Sequence, residues 1–317
     1  MLHLDPSASV NSTARYCISH AHIDHLGGLN SRGRCLLTAQ TADIVSSRNG
    51  KCRRAEHVVY EKKITLNDMD VIPHNAGHML GSAQFEIRSP EATILYTGDF
   101  NCRDMLTTDK AKPVRCDILV LETTYGHPMY TFPDPLETRV DMVDWALKEI
   151  QRGVIPVFKV YSAGKAQEVV KILNEFTNVP VVTQPKVTRV NQAYERNGVV
   201  LQYTDAENEE GRELLKSGEC VYIASSQNAV SNSREVSLAV ATGWAARFPM
   251  NTVDAAFPLS CHADFHQLVE YVEQVRPREV FTVHGFKDDF ADYLLRRRGI
   301  KARPISPIVQ KHLMEYL

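Results

Sequence analysis

Six consecutive residues, His20-Ala21-His22-Ile23-Asp24-His25, carry three imidazoles and one carboxylate. A fold that contains them must gather these groups rather than hide them one at a time. Imidazole nitrogen and carboxylate oxygen suit borderline-soft divalent metals. His20 and His22 stand two residues apart, so on an extended strand end they point the same way and can share one ion. Asp24 and His25 fall on the turn announced by Leu26-Gly27-Gly28, in reach of a second ion nearby. A solitary histidine is usually a satisfied polar residue. Four ligand-type side chains in an HxHxDH spacing, between the run Tyr16–Ser19 and a Gly-Gly turn, are a motif with a context.

At 317 residues the chain has the length of one large or two medium domains. Its 44% hydrophobic and 23% charged content is enough for a substantial core. A net charge of −2 excludes binding to nucleic acid or anionic membrane through bulk charge. Any such contact must use local patches: Arg32, Arg34, Arg48, Lys51, Arg53 and Arg54; Lys186, Arg189 and Arg196; or Arg296, Arg297 and Arg298. Each of these reads singly as solvated surface. Seven cysteines without CxxC spacing argue against a disulfide framework and a cysteine zinc site. With no signal-type start and no long apolar run, the expectation is a cytoplasmic protein with free thiols and no membrane partner.

Short apolar runs bounded by turn residues predict strands at Ala14–Ser19, Cys35–Thr38, Val71–Pro73, Gln84–Ile87, Thr93–Thr97 and Asp117–Leu121. Leu2–Asp5 is the one strand-like segment before them. Asp134 and Pro135 then read as the N-cap and first position of a helix from Leu136 to Gln151. Its predicted apolar face is Val140, Val143, Leu147 and Ile150. Strands at Val154–Tyr161, Val179–Thr183 and Cys220–Ala224 alternate with helices at Lys165–Thr177 and Glu209–Lys216, the pattern of βαβ units. Ala255–Leu259, Asp264–Val275, Glu279–Val283 and Asp288–Arg298 repeat strand, helix, strand, helix. No linker separates these parts, so the middle region reads as an insertion: 1–126, an insert over 127–250, then 251–317.

Five further strand-end segments carry ligand or acid–base groups followed by loops, where binding residues gather in α/β structures. They are His78 in AGHMLGSA, Asp99 in LYTGDF, Glu122 in LETTYG, His262 in LSCHAD and His284 in VHG. Taken alone, His78 reads as a turn histidine. Asp99 suits a carboxylate bridging two metals, and equally a turn. Ser162, Gly164 and Lys165 lie between a predicted strand and helix, where backbone N–H groups either hold phosphate or merely cap the turn. Trp244 and Tyr125 are aromatic enough to stack bases, although Trp244 reads more readily as interdomain core.

The order HxHxDH, GHxLGS, TGD and a late histidine resembles the metallo-β-lactamase fold. Glu122, His262 and His284 resemble motifs A, B and C of its β-CASP nucleases, and Ser162-Ala163-Gly164-Lys165-Ala166-Gln167 resembles their GRAQ or GKAQ segment. The ligase-associated DNA exonuclease group is most similar, through LETTYGHPMY, Thr242-Gly243-Trp244 and Leu259 to His266. The resemblance implies an α/β architecture, a metallo-β-lactamase αββα sandwich with an inserted β-CASP α/β domain. It also implies two Zn2+ ions, with Mn2+ as an alternative: His20, His22 and His78 on one, Asp24, His25 and His284 on the other, Asp99 between them. His262, Glu122 and Asp24 form the implied catalytic set. His262 is the general acid for attack by metal-held hydroxide, and Glu122 orients it and raises its pKa. Asp264 is either an acceptor behind a ligand or a helix N-cap.

The implied function is cleavage of single-stranded nucleic acid. The two long motif segments and the compact insert favour a DNA exonuclease in repair, with DNA ligase or helicase as partners. RNA processing by an endo- or exoribonuclease is the alternative. Motif A is Glu rather than the commoner Asp. His284 at motif C occurs in RNA-cleaving members and in the ligase-associated group, so it does not choose between them. A lactonase or thioesterase lacks the insert and the His262–Glu122 pair, and an inactive scaffold should have lost ligands.

Overall fold

The computed structural model describes residues 1–7, 14–48, 52–225 and 235–305. In it the short apolar runs of the first third become two facing sheets. β1 (Leu2–Leu4), β2 (Arg15–Cys17) and β3 (Cys35–Thr38) are parallel neighbours. The helix α1 (Ala39–Arg48) then leads to β4 (Ala55–Val58), which completes a four-stranded sheet. β5 (Ile64–Leu66), β6 (Met69–Asn75), β7 (Ala83–Arg88) and β8 (Thr93–Tyr96) form an antiparallel meander. β9 (Ile118–Glu122) joins β8 in parallel.

The middle region follows as α2 (Pro135–Gln151), β10 (Ile155–Lys159), α3 (Lys165–Phe176), β11 (Val181–Thr183) and α4 (Pro185–Arg196). It continues through β12 (Thr204–Asp205), α5 (Glu209–Ser217), β13 (Val221–Ala224), β14 (Val236–Ala241) and β15 (Ala255–Phe257). Its strands make one parallel sheet in the order β12-β11-β13-β10-β14-β15. The chain then returns through α6 (Phe265–Val275), β16 (Glu279–Val283), α7 (Lys287–Arg298) and β17 (Ala302–Pro304). β16 inserts beside β9, so the larger outer sheet has seven strands, β17-β16-β9-β8-β7-β6-β5.

Side-chain alternation along the strands decides the layering. Cys17, Leu36 and Val58 of the four-stranded sheet pack against Val71, Phe85, Ile87, Ile94, Val120 and Phe281 of the seven-stranded sheet. The opposite face of the larger sheet, Leu95, Leu119 and Leu121, is covered by Phe265, Leu268 and Val272 of α6 and by Phe290 and Leu294 of α7. Ala42 of α1 packs with Tyr16, Cys35 and Leu37 on the outside of the smaller sheet. The result is the expected αββα sandwich with an inserted α/β unit.

The structure corrects three sequence expectations. The insert's sheet does not end at 250, because β15 pairs in parallel with β14 and is its edge strand. The buried stripe of α2 is Thr138, Met142, Val143, Ala146 and Glu149. Val140, expected inside, is 41% exposed; it lies about 200° round the helix from Met142, away from α3 and β10. Finally, α1 and α4 are additional helices, and they pack against each other across the boundary between the sandwich and the insert. There Arg196 makes a forked pair with Asp43 at 2.8 and 3.1 Å.

One core runs through that boundary: Ala21, Ile44, Val45 and Met79 of the sandwich lie with Val169, Val190 and Tyr194 of the insert. A polar clasp reinforces it. The buried Glu168 of α3 accepts from Leu106 N at 2.9 Å, Thr107 N at 3.1 Å and the Thr107 hydroxyl at 2.9 Å. The Arg139 guanidinium stands 3.6 Å away. Replacing Glu168 with alanine strands three donors and a mostly buried cation. Glu168→Ala should therefore lower unfolding stability by about 3 kcal/mol in urea denaturation, and a change under about 0.5 kcal/mol, the range of an ordinary surface site, would contradict the clasp.

Candidate metal centre

The HxHxDH segment leaves β2 as a bent loop and not as a continued strand; Ile23–His25 form a single 3-10 turn. The bend still brings the rings together. His20 lies 4.7 Å from His22, 4.1 Å from His25 and 4.8 Å from His78, centroid to centroid. Asp99 arrives on the loop after β8. Gly98 makes that approach feasible, since a Cβ there would meet the Ser19 side chain at 2.6 Å. One Asp99 oxygen, Oδ2, stands 3.5 Å from His20 Nε2 and 3.6 Å from His25 Nε2. That placement between two histidines is what a shared carboxylate requires.

Ligand atoms of His20, His22, His78 and Asp99 fall within 4.8 Å of one another, and so do those of His25, Asp99 and His284. His284 follows β16 in a left-handed conformation with φ of 61°. It is succeeded by Gly285, where a Cβ would strike Thr124 Cα at 2.4 Å. Asp24 sits at the exposed rim, its carboxylate 3.6 Å from His25 Nε2 and 79% accessible.

The second nitrogen of each buried ring is spoken for. His25 Nδ1–H donates to Asp5 at 2.8 Å, and His78 Nδ1–H donates to the Cys261 carbonyl at 2.9 Å. His22 Nε2–H donates to the Ala163 carbonyl at 3.2 Å, and His20 Nδ1 pairs with the Ser19 hydroxyl at 2.9 Å. Such partners set the tautomer and aim the free lone pair inward. His78 Nε2 and His22 Nδ1 consequently face each other at 3.3 Å. His20 Nε2 is buried with no hydrogen-bond partner at all. An orphaned nitrogen among converging lone pairs fits a metal ion, and the N/O donor set fits zinc.

Electrostatics agree. Burial, then the neighbouring imidazoles, hold His20 and His78 well below the ordinary histidine range, and burial pushes His22 down to about 4. These rings are neutral near neutral pH, the form that ligates. Burial also opposes charge on His25, but Asp5, Asp99 and Asp24 outweigh it and carry that ring up to about 10 without metal. Asp99 is raised by burial, partly offset by His25 and His262.

His262 lies beside this centre, on the loop before α6, with its ring 4.5 Å from that of His78. Its Nδ1 pairs with Glu122 at 2.9 Å, leaving Nε2 free. Burial opposes its charge, yet the Glu122 carboxylate raises it above the usual value, and the same pairing lowers Glu122. Glu122 is further fixed by Thr124 N at 2.9 Å and Phe100 N at 3.3 Å.

Asp5 is the residue that sequence reasoning passed over. Its side chain, 3% exposed just after β1, accepts from Ser19 N at 2.7 Å, from the Ser19 hydroxyl, from His25 and from Tyr96 OH at 2.9 Å. Asp264 is a helix N-cap, accepting from Gln267 N at 3.0 Å and Phe132 N at 3.1 Å. Ser162 and Gly164 are used within their own turn, each bonded to Gln167. Lys165 Nζ donates to the Leu259 carbonyl at 2.6 Å, and its charge acts on His78 and His262. Tyr125 is 3% exposed, so no base can stack on it; Trp244 stands at the rim of that aromatic cluster, 36% exposed, and not in a core. Among the basic patches Arg48 donates to Ala21 O, Arg54 to Ser31 O, and Arg196, Arg296 and Arg298 are ion-paired. Lys51 lies outside the described residues.

Comparison with known proteins points the same way. Residues 254–304 match the family described as the Zn-dependent metallo-hydrolase RNA specificity domain. A probable DNA ligase of Opitutus terrae is 33% identical over 92% of this chain and 29% of its own length. Cleavage and polyadenylation specificity factor subunit 3 of Dictyostelium discoideum is 24% identical over 94% of this chain and 49% of its own. The chain thus spans 29% to 49% of the length of these two relatives. A crystal structure of a protein of unknown function from Enterococcus faecalis shares the fold, with a TM-score of 0.63 at 17% identity, covering 93% of this chain and 80% of that one. The chain belongs to the β-CASP nuclease family of the metallo-β-lactamase fold.

Because Asp5 holds His25 and the loop bearing His20, Asp5→Asn should weaken zinc binding about 10- to 100-fold in competition with a chromophoric chelator. Wild-type affinity in that variant would show that Asp5 does not orient the ligands.

Proposed function

We propose that the protein is a metal-dependent phosphodiesterase that cleaves single-stranded nucleic acid, with two zinc ions held by His20, His22, His78, Asp99, Asp24, His25 and His284. The observation that carries this reading is the His262–Glu122 pair placed against the metal-ligand cluster. A centre for metal-assisted hydrolysis needs only the ligands; breaking a phosphodiester also calls for a proton on the leaving oxygen. Zinc in such a site supplies a water acidified toward neutral pH and positive charge against the phosphate.

The chain's own groups do the rest. Glu122 holds the His262 ring by Nδ1 and favours its protonated form, so Nε2–H is presented to the leaving oxygen. The Glu122 carboxylate is itself braced by two backbone N–H groups, which keeps it from rotating away. Asp5, Ala163 O and Cys261 O hold the ligand rings. The Ala163 contact comes from the insert, so the insert helps set the geometry of the centre as well as covering it.

DNA is the preferred substrate, with an exonuclease role in repair and a DNA ligase as partner. The 33% identity to part of a probable DNA ligase supports this choice. A second reading, RNA processing, is favoured by the match of residues 254–304 to a domain described by RNA specificity. No helix among the described residues is long and apolar enough to cross a membrane.

The deciding assay uses end-labelled single-stranded DNA and RNA of one sequence, with blocked and free 5′ ends. A ladder from a free DNA end is expected; internal cuts in RNA with DNA untouched would reverse the preference. His262→Ala should lower kcat on the order of 10²- to 10⁴-fold with zinc content unchanged. If zinc is lost instead, His262 is a structural support and not the acid.

A further inference from the structure

Tyr161 belongs neither to the ligand set nor to the hydrogen bonds around it, yet its ring stands 6.0 Å from the His22 ring. It is 78% exposed while Val160, Ser162 and Ala163 around it are buried. It follows β10, an interior strand of a parallel sheet, at the carboxyl end where ligands of such sheets are held. Its backbone is pinned, since its carbonyl accepts from Ala166 N at 3.2 Å.

A single exposed aromatic needs no explanation by itself. Here the position matters. Rings follow one another across the centre: Tyr161 to His22 at 6.0 Å, His22 to His78 at 5.0 Å, His78 to His262 at 4.5 Å, His262 to Tyr125 at 5.9 Å and Tyr125 to Trp244 at 4.9 Å. The aromatic side chains at the two ends, Tyr161 and Trp244, are exposed, and Tyr125 between them is not. His262 lies toward the Trp244 end, so a leaving nucleotide protonated by it lies on that side. The other nucleotide then lies toward His22 and meets the Tyr161 ring.

We propose that Tyr161 is a stacking platform for the base on the His22 side of the scissile phosphate, a positioning residue that the nuclease reading above did not require. The inference rests on that reading. An uncharged ring accepts the face of any base, so the platform grips a single strand without selecting sequence. A paired base, stacked on both sides within a duplex, cannot offer its face in this way.

The test uses the zinc-loaded full chain on a single-stranded oligonucleotide, as DNA and as RNA, with one abasic position walked across the cut. For the wild type, KM should rise about tenfold when the abasic position is the nucleotide next to the cut on the His22 side. Tyr161→Ala should raise KM about tenfold on the intact strand, retain zinc, leave kcat within about twofold, and lose nothing more on that abasic strand. Tyr161→Phe should restore the wild-type KM. An alanine variant with wild-type KM, or one that weakens intact and abasic strands alike, overturns the platform, as does loss of zinc. If the wild type cleaves neither strand, the nuclease reading fails and the inference with it. Cleavage by wild type with no change in the variant removes the platform alone.

Discussion

The molecule is organised around the cost of placing buried imidazoles against one another. Each ring taken from water loses hydration, and each would repel a charged neighbour. The centre answers by keeping His20, His22 and His78 neutral and by giving each buried ring a fixed acceptor or hydroxyl on its far side. The price is a set of lone pairs aimed at one another, and His20 Nε2 is left with no partner in the protein. Asp99, with one oxygen nearly equidistant from His20 and His25, joins the two halves of the cluster.

Everything else in the fold serves that convergence. The sandwich delivers Asp5, the HxHxDH loop, His78, Asp99, Glu122 and His284 from the ends of separate strands, and the loop before α6 adds His262. The insert closes the other side, with Ala163 O on His22 and Lys165 bonded to Leu259 O. The Glu168 clasp and the Asp43–Arg196 fork tie the insert to the sandwich, so the arrangement of the two parts and the geometry of the centre are one problem.

Much of this was legible in the chain. Strands such as Cys35–Thr38 and Glu279–Val283 are found where turn residues and β-branched runs place them. The strand-end residues could be collected because chemistry in layered α/β folds gathers there. What escaped notice has physical reasons. α1 buries Thr41 and Ala42 beside Ile44 and Val45, so its period is faint; α4 buries a regular stripe from Val187 to Tyr194, but the helix is mostly polar and the stripe includes Thr188 and Asn191. Val140 looked like core because it is apolar, but the packing partner of α2 chose the stripe through Met142 and Ala146. Asp5 closes the strand-like segment Leu2–Asp5, but no ligand-type residue stands beside it in the sequence; it meets Ser19 and His25 only in the fold. Tyr161 was hidden by reading its strand through to 161, when the strand ends at Lys159 and leaves the ring on the turn.

The central claim is that the separated histidines and carboxylates form one centre for two ions. Crystals of the zinc-loaded protein, measured for anomalous scattering at the zinc absorption edge, test it most directly. Two peaks are expected, one among His20, His22 and His78 and one beside His25 and His284, with Asp99 reaching both. A single peak, or peaks away from Asp99, would contradict the account.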